Sequence, residues 1–397
     1  MSKKIIIGIT GSIAAFKAIQ LISDLVKLNY TVDVMLTQSA SRFVTIESIQ
    51  ALTKRKVYID TFDDENPAII THIDVVKDAD LMMIIPASAH TIAKIAHGLA
   101  DNMLTCSFLA ATCPKLIAPA MNVHMYENPI TQKNIQTLKD LGVYFIEPTS
   151  GLLACGAIGK GKLASEEDIM EMMNYALHPK PLLGKKVLVS AGPTQESIDP
   201  VRYITNHSSG KMGYAIAKAA FCLGADVTLV SGPTSLKKPY GIHVIDVMSA
   251  NQMYENIINI SDDQNYIIMA AAVGDYACQN ISDEKIKKNE NQFILELHKN
   301  KDILYELGQK RKNHQILCGF AMETSDLIEN AQDKLSRKNC HMIVANHLKT
   351  KGAGFQGDTN VVSFLKPGEI KELELMSKDE LAYRILEELM DLEEKEC

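Results

Sequence analysis

Lys3-Lys4-Ile5-Ile6-Ile7-Gly8-Ile9-Thr10-Gly11-Ser12 opens the chain, and Gly184-Lys185-Lys186-Val187-Leu188-Val189-Ser190-Ala191-Gly192-Pro193-Thr194 opens it a second time near the middle. Each stretch is a short apolar strand running into a Gly-containing loop. Where a helical pattern follows, the N–H groups of loop and helix point outward at the strand's carboxyl end, the place where open parallel sheets hold phosphates. Two such starts predict two nucleotide or cofactor sites.

Working outward from the first start, Ile5–Ile9 reads as a buried strand. Ser12 reads as the N-cap of a helix whose apolar face carries Ala15, Ile19, Ile22 and Leu25. Further strands are expected at 31–37, 81–86, 115–119 and 143–147, with helices between. His178-Pro179-Lys180-Pro181 breaks the pattern, because proline removes donors and restricts the residue before it. Beyond it, strands are expected at 186–190, 226–231, 243–247, 266–273, 315–320 and 342–345. Helices are expected at 212–223, 250–259, 327–338 and 379–394. Alternation of this kind means α/β architecture, a mostly parallel sheet covered on both faces. The expected organisation is one domain at 1–177, a linker at 178–184 and a second domain at 185–397.

The 397 residues are 46% hydrophobic and 22% charged, ordinary proportions for a globular enzyme, and the net charge of -7 argues against a nucleic-acid binder. No signal-peptide core follows Lys3-Lys4 and no apolar run reaches the roughly 20 residues needed to span a bilayer, so a cytoplasmic protein without a membrane partner is expected. Eight cysteines without a Cys-x-x-Cys pair indicate neither a zinc site nor a disulfide framework.

The first loop is no dinucleotide fingerprint, since the third glycine is absent; it suits a single phosphate. Pro86-Ala87-Ser88-Ala89-His90-Thr91 repeats the arrangement, and Gly98-Leu99-Ala100-Asp101-Asn102 adds a third polar turn. Taken singly these are ordinary capped turns, and together they read as a mononucleotide cradle. His72, Pro119-Ala120-Met121-Asn122-Val123-His124-Met125-Tyr126 and Ala154-Cys155-Gly156 carry the remaining chemistry. A lone histidine or cysteine is more often structural, but Cys155 stands among small flexible residues rather than in an apolar periodic run.

In the second half, Gly210-Lys211 invites a P-loop reading that Thr205 and Met212 refuse, since a glycine and a hydroxyl are needed there. Ser208-Ser209-Gly210 ahead of a helix remains a phosphate seat, with Gly213 allowing close approach. Ala270-Ala271-Ala272-Val273-Gly274-Asp275 ends a strand in small residues with room for a base or ribose. Lys285-Ile286-Lys287-Lys288 reads by itself as a solvated surface turn, the commoner fate of such runs.

Residues 1 to about 177 resemble the flavin-containing cysteine decarboxylases, on His72, Pro119-x-Met121-Asn122-x-x-Met125 and Ala154-Cys155-Gly156. Tyr126 stands where that family commonly has Trp, and Lys162 where Arg is frequent. The resemblance implies a flavodoxin-like fold and FMN bound near Gly11, Ser12, Ser39, Ser88, Thr91 and Asn102. It also implies His72 as the base of thiol oxidation, Asn122 with Met121 and Ala154 at the substrate carboxylate, and Cys155 as the final proton donor. The second half resembles phosphopantothenate-cysteine ligases, on Asn206, Ser208-Ser209-Gly210, Lys285, Gly319-Phe320-Ala321-Met322-Glu323-Thr324, Arg337-Lys338-Asn339 and Gly354-Phe355-x-x-Asp358-x-Asn360.

That resemblance implies a Rossmann-like domain using CTP and Mg2+, with Lys285 active in acyl-cytidylate formation and Asn206 at the acyl centre. Ser208, Gly210, Ala271, Asp275, Phe320 and Lys338 would line the nucleotide and substrate site, and Asp275 would bind the metal. With both halves in this order, the chain resembles the bifunctional family of coenzyme A biosynthesis, whose small-molecule partners are 4'-phosphopantothenate, cysteine and CTP. Homo-oligomers are implied through both domains. A flavin prenyltransferase shares the first sheet but leaves Ala154-Cys155-Gly156 and the second half unexplained, and a regulatory flavoprotein leaves His72 and Cys155 unexplained.

Overall fold

The computed structural model describes residues 2–62, 70–152, 156–287, 293–323, 326–347 and 357–396. Cys155, Ala154, Lys288, Thr324, Gly354 and Phe355 lie outside them. Two compact units divide the chain, Met1–His178 and Pro179–Cys397.

In the first unit six strands form one sheet in the spatial order Val57–Tyr58, Thr31–Leu36, Lys4–Ile9, Leu81–Ala87, Lys115–Pro119, Tyr144–Phe145. Every pairing is parallel. Numbered along the chain this is the order 3-2-1-4-5-6. Without the two-residue outer strand it is 2-1-3-4-5, the flavodoxin order. The reason these segments are strands is compositional: Ile5, Ile6, Ile7, Met82, Met83 and Ile84 are all fully buried, which only a sheet covered on both faces accommodates. Tyr144–Phe145 is shorter than the 143–147 expected, because it pairs on one side only, with Leu116 and Ile117.

The main sheet of the second unit has eight strands, His243–Asp246, Asp226–Ser231, Lys186–Ala191, Tyr266–Met269, Ile316–Glu323, Met342–His347, Val362–Lys366 and Glu369–Glu372, again in the order 3-2-1-4-5-6 and then 7-8. The first six are parallel and the last two antiparallel. Alternation along the strands separates two cores. Val187, Val189, Ile268 and Val344 pack with Ile216, Ile385 and Leu389, whereas Leu188, Ile267, Leu317 and Ile343 pack with Met253, Ile257 and Leu304. Helices therefore cover both faces, the doubly wound arrangement.

The closing helix, Lys378–Glu396, buries Leu381, Ile385, Leu386 and Leu389 completely or nearly so and leaves Asp379, Glu380 and Glu387 outward, whereas Glu388 is buried against Lys366. The strand expected at 266–273 ends at Met269. Beyond it, Ala272 turns away to bond the loop of the first strand, its N–H donating to the Gly192 carbonyl (2.9 Å) and its carbonyl accepting from Thr194 N–H (3.2 Å). Among the described residues no helix is long and apolar enough to cross a membrane.

Two candidate active sites at the sheet switch points

In each unit the chain reverses direction across the sheet between its first and fourth strands, which opens a crevice at their carboxyl ends. In the first unit Thr10 stitches the two strand ends together: its Oγ1 donates to the Pro86 carbonyl (2.7 Å) and accepts from the Ser88 N–H (2.9 Å). Ser88 N-caps the helix Ala89–Ala96, accepting from Thr91 N–H at 3.3 Å. Ser12 is not the N-cap expected. The first helix runs Ala15–Lys27 from Ala14, and the Ser12 hydroxyl instead accepts from Ala14 N–H at 3.3 Å and reaches the Ala120 carbonyl at 3.4 Å. Gly11 must lack a side chain, since a Cβ there would stand 2.6 Å from that of Ser39.

Gly11, Ser12, Ser88, Met121 and Asn122 converge on one cavity of about 450 Å³, walled also by Phe16, Lys17, Leu152 and Lys162. The Asn122 Oδ1 accepts from His124 N–H (2.9 Å), capping the helix Val123–Glu127 and fixing the amide at the cavity's edge. Thr91 lies buried beneath Ser88 rather than in the wall, their hydroxyls 3.2 Å apart. Asn102 caps the helix Met103–Ala110 in a reciprocal box with Thr105, and Ser39 touches the site through Gly11. His72 sits on the helix Thr71–Lys77, outside the cavity wall, its carbonyl accepting from Ser107 Oγ (2.9 Å). Its Nδ1 is buried with no hydrogen-bond partner among the described residues, a polar atom left for something else to satisfy. Thr10 went without a role in the sequence because a threonine ending a strand is indistinguishable there from any β-former.

At the second switch point Ala271, Asp275, Phe320 and Lys338 line a cavity of about 560 Å³. Lys299, Lys301, Lys334 and Arg337 join Lys338 around it, five cations in one crevice. Lys338 is nearly buried and pairs with Asp302; its ammonium stands 5.7 Å from the Tyr305 ring centroid. Burial first, and the charge of Lys299 after it, hold its pKa below the ordinary lysine value. Asn300 braces the floor, its N–H donating to the Asp275 carbonyl and its amide to that of Gly274, both at 2.8 Å. The lysines at 299, 301 and 334 belong to no motif, so only the fold reveals them.

Asn206, Ser208 and Gly210 lie outside that cavity's wall, and Asn206 donates from Nδ2 to the Ala272 carbonyl (3.1 Å). Ser208 accepts from Gly210 N–H at 3.3 Å rather than from the helix interior, and the helix Lys211–Cys222 starts from Gly210 in a left-handed conformation, φ 78°. Gly213 does permit the close approach expected, for a Cβ there would lie 2.6 Å from that of Ala191. Lys285 is exposed and outside the cavity wall. Its neighbour Ile286 is nonetheless pinned: the N–H donates to Asp199 Oδ2 (3.2 Å) and the carbonyl accepts from Arg202 Nη2 (2.8 Å). Burial pulls the Asp199 pKa up, but Arg202 and the N–H groups of Val201, Ile286 and Arg202 outweigh it and lower it to about 2.

A family model described as flavoprotein matches residues 1–178, and one described as the DNA/pantothenate metabolism flavoprotein C-terminal domain matches residues 182–392. The chain is 47% identical over 396 residues to the coenzyme A biosynthesis bifunctional protein CoaBC of Bacillus subtilis (strain 168), covering 98% of this chain and 97% of that protein. It is 44% identical over 356 residues to a cysteine/cysteine sulfinic acid decarboxylase from an unknown prokaryotic organism, covering 88% of this chain and 99% of that one. The crystal structure of the C-terminal domain of a coenzyme A biosynthesis bifunctional protein CoaBC covers 54% of this chain and 99% of its own at 41% identity, with a TM-score of 0.47. Matched from end to end and in both units, the chain belongs to the family of the coenzyme A biosynthesis bifunctional protein.

Proposed function

We propose that the second unit joins 4'-phosphopantothenate to cysteine at the expense of CTP, and that the first unit decarboxylates the product to 4'-phosphopantetheine. The observation that carries the reading is the convergence, in each unit, of separate sequence segments on one cavity at a switch point.

The first cavity fits FMN. Gly11, stripped of a Cβ, brings backbone N–H groups close beside the Ser12 and Ser88 hydroxyls and the start of the helix Ala89–Ala96, a seat for a phosphate. Bound there, FMN would take two electrons from the substrate thiol, and the resulting thioaldehyde gives the carbon–carbon bond an electron sink on loss of carbon dioxide. Asn122 holds the substrate carboxylate at the cavity's edge. His72 takes the proton released on thiol oxidation, using the Nδ1 that has no partner among the described residues. Loss of carbon dioxide leaves an ene-thiol, and Cys155, outside the described residues, would donate the proton as the two electrons removed from the thiol are returned to it, giving the product thiol.

In the second cavity the five cations meet the triphosphate, and Ala271 and Phe320 leave a flat apolar wall for the base. The phosphopantothenate carboxylate attacks the α-phosphate, pyrophosphate leaves, and cysteine's amine then displaces cytidine monophosphate from the acyl-cytidylate. Lys285 stabilises charge in the first step and Asn206 positions the acyl group for the second. Among the described residues no cluster of three or more His, Cys, Asp or Glu could hold a metal. Magnesium would enter on the nucleotide phosphates with Asp275 as its protein ligand, the usual manner for this ion.

The partners are these small molecules rather than nucleic acid or membrane, and the working form is a cytoplasmic homo-oligomer. Supplying phosphopantothenate, cysteine, CTP and Mg2+ to flavin-loaded protein and reading products by mass spectrometry tests the whole scheme. Phosphopantetheine with equal pyrophosphate and carbon dioxide is expected; absence of both phosphopantothenoylcysteine and phosphopantetheine would sink the ligase half, and accumulation of phosphopantothenoylcysteine without carbon dioxide the decarboxylase half.

A further inference from the structure

Beside the Asn122 turn, the wall of the first cavity is a two-stranded hairpin, Thr149–Leu152 with Ile158–Lys162, which contributes Leu152, Gly161 and Lys162. One tie holds it to the Asn122 turn: Met121 N–H donates to the Gly161 carbonyl (3.0 Å), and a Cβ on Gly161 would lie 2.3 Å from the Met121 carbonyl oxygen. A second tie lies outside the cavity. Tyr126 Oη donates to Glu147 Oε2 at 2.6 Å, Lys160 Nζ stands 2.8 Å from the same oxygen and 5.7 Å from the Tyr126 ring centroid, and Lys139 Nζ reaches Oε1 at 3.0 Å.

The placement of these groups couples the two walls. Tyr126 is buried on the helix Val123–Glu127, its N–H donating to the Asn122 carbonyl (3.0 Å), and Met125 of the same helix faces the cavity. Glu147 leads into the first hairpin strand and Lys160 lies in the second. A phenol on the helix after Asn122 and an ammonium on the hairpin thus share one carboxylate. Charge-assisted bonds of this kind are short and directional, so they specify a position rather than merely add attraction. Tryptophan at position 126 could not be bonded in this way through a hydroxyl, so the latch is built from this chain's own residues.

We propose that Tyr126, Glu147 and Lys160 form a latch that fixes the hairpin wall against the Asn122 turn and thereby sets the spacing of the carboxylate-binding side of the cavity. They are positioning residues and touch no substrate. The assignment rests on the decarboxylase reading of the first unit.

Hydrogen–deuterium exchange of peptides covering 144–152 and 156–165 in the flavin-loaded full chain tests it, beside steady-state decarboxylation of 4'-phosphopantothenoylcysteine. Tyr126→Phe should speed exchange in both peptides and raise KM by roughly 10-fold with kcat within about twofold, the scale of one lost charge-assisted bond. Lys160→Ala should do the same and Lys160→Arg should restore both readouts. Unchanged exchange in Tyr126→Phe overturns the latch, as does faster exchange with unaltered KM. Should Tyr126→Phe fail to fold, Lys160→Ala, whose side chain is 43% exposed, decides by the same two readouts. If the wild-type protein decarboxylated nothing, the activity reading alone would fall, and the exchange of Tyr126→Phe would still keep or overturn the latch.

Discussion

Lys285 and Asp199 show how differently two charged residues in one corner can act. Lys285 is exposed, and a solvated lysine there would be replaceable at almost no cost. As a charge stabiliser in acyl-cytidylate formation it should matter far more: Lys285→Gln is expected to slow CTP-dependent pyrophosphate release by about 10²- to 10³-fold, while flavin chemistry continues. Asn206→Asp should release pyrophosphate and leave the acyl-cytidylate unconverted, visible by rapid-quench mass spectrometry. Normal release by Lys285→Gln would clear that lysine of any role.

Asp199 holds the segment in place by its charge. Its pKa lies near 2 in the folded chain against an ordinary 3.8, so the folded state binds that proton more weakly than the unfolded one. The stabilisation is complete above about pH 5 and is lost as pH falls through 3.8 toward 2. Urea midpoints measured from pH 5 down to 2 should therefore fall less steeply in Asp199→Asn than in the wild-type protein, although the variant starts lower. Parallel slopes would show the carboxylate to be indifferent.

Elements written as continuous apolar runs were legible from the residues alone. Lys4–Ile9, Leu81–Ala87 and Lys115–Pro119 needed no tertiary information, because a strand buried on both faces has only one composition that suits it. Short hairpins were not. Thr149–Leu152 and Ile158–Lys162 contain three glycines and two lysines and no alternation, and their pairing is decided by the Met121 turn they lean on. At the first cavity Gly11 and Ser88 announce themselves by turn chemistry and Asn122 only by family resemblance, whereas Lys299 and Lys334 enter the second cavity only through the folding of segments far apart in sequence.

The closing helix is the element whose removal should be felt most. Ile385 is fully buried between that helix and Val187, Ile216 and Phe364 of the core, so Ile385→Ala should destabilise the second unit by about 2–5 kcal/mol in chemical denaturation. A change below roughly 1 kcal/mol would mean the helix is docked loosely, as a surface substitution would behave.

At the scale of the whole molecule, the division at His178 and Pro179 gives each unit its own sheet and its own core. Pro181 and Leu183 are exposed, yet Leu182 between them is buried in the second unit's core, so the segment expected as a linker at 178–184 is anchored at one end. Fragments 1–178 and 179–397 should each unfold cooperatively, FMN remaining with the first and CTP-dependent ligation with the second, as differential scanning calorimetry and activity would report. Starting the second fragment at 185 should lower its melting temperature by removing Leu182. Fragments that precipitate singly and recover together would mean a shared core.

Neither sheet borrows a strand from the other: the six of the first all lie before residue 146 and the eight of the second all lie after residue 185. Parallel strands close large loops before any contact rewards them, which makes such sheets slow to assemble and prone to mispairing while incomplete. On a ribosome this chain meets that hazard in two instalments. The last strand of the first sheet emerges before any strand of the second exists, so the nascent chain never offers it a foreign edge. Two nearly identical strand orders can thus share one polypeptide without exchanging partners, because synthesis presents them one after the other.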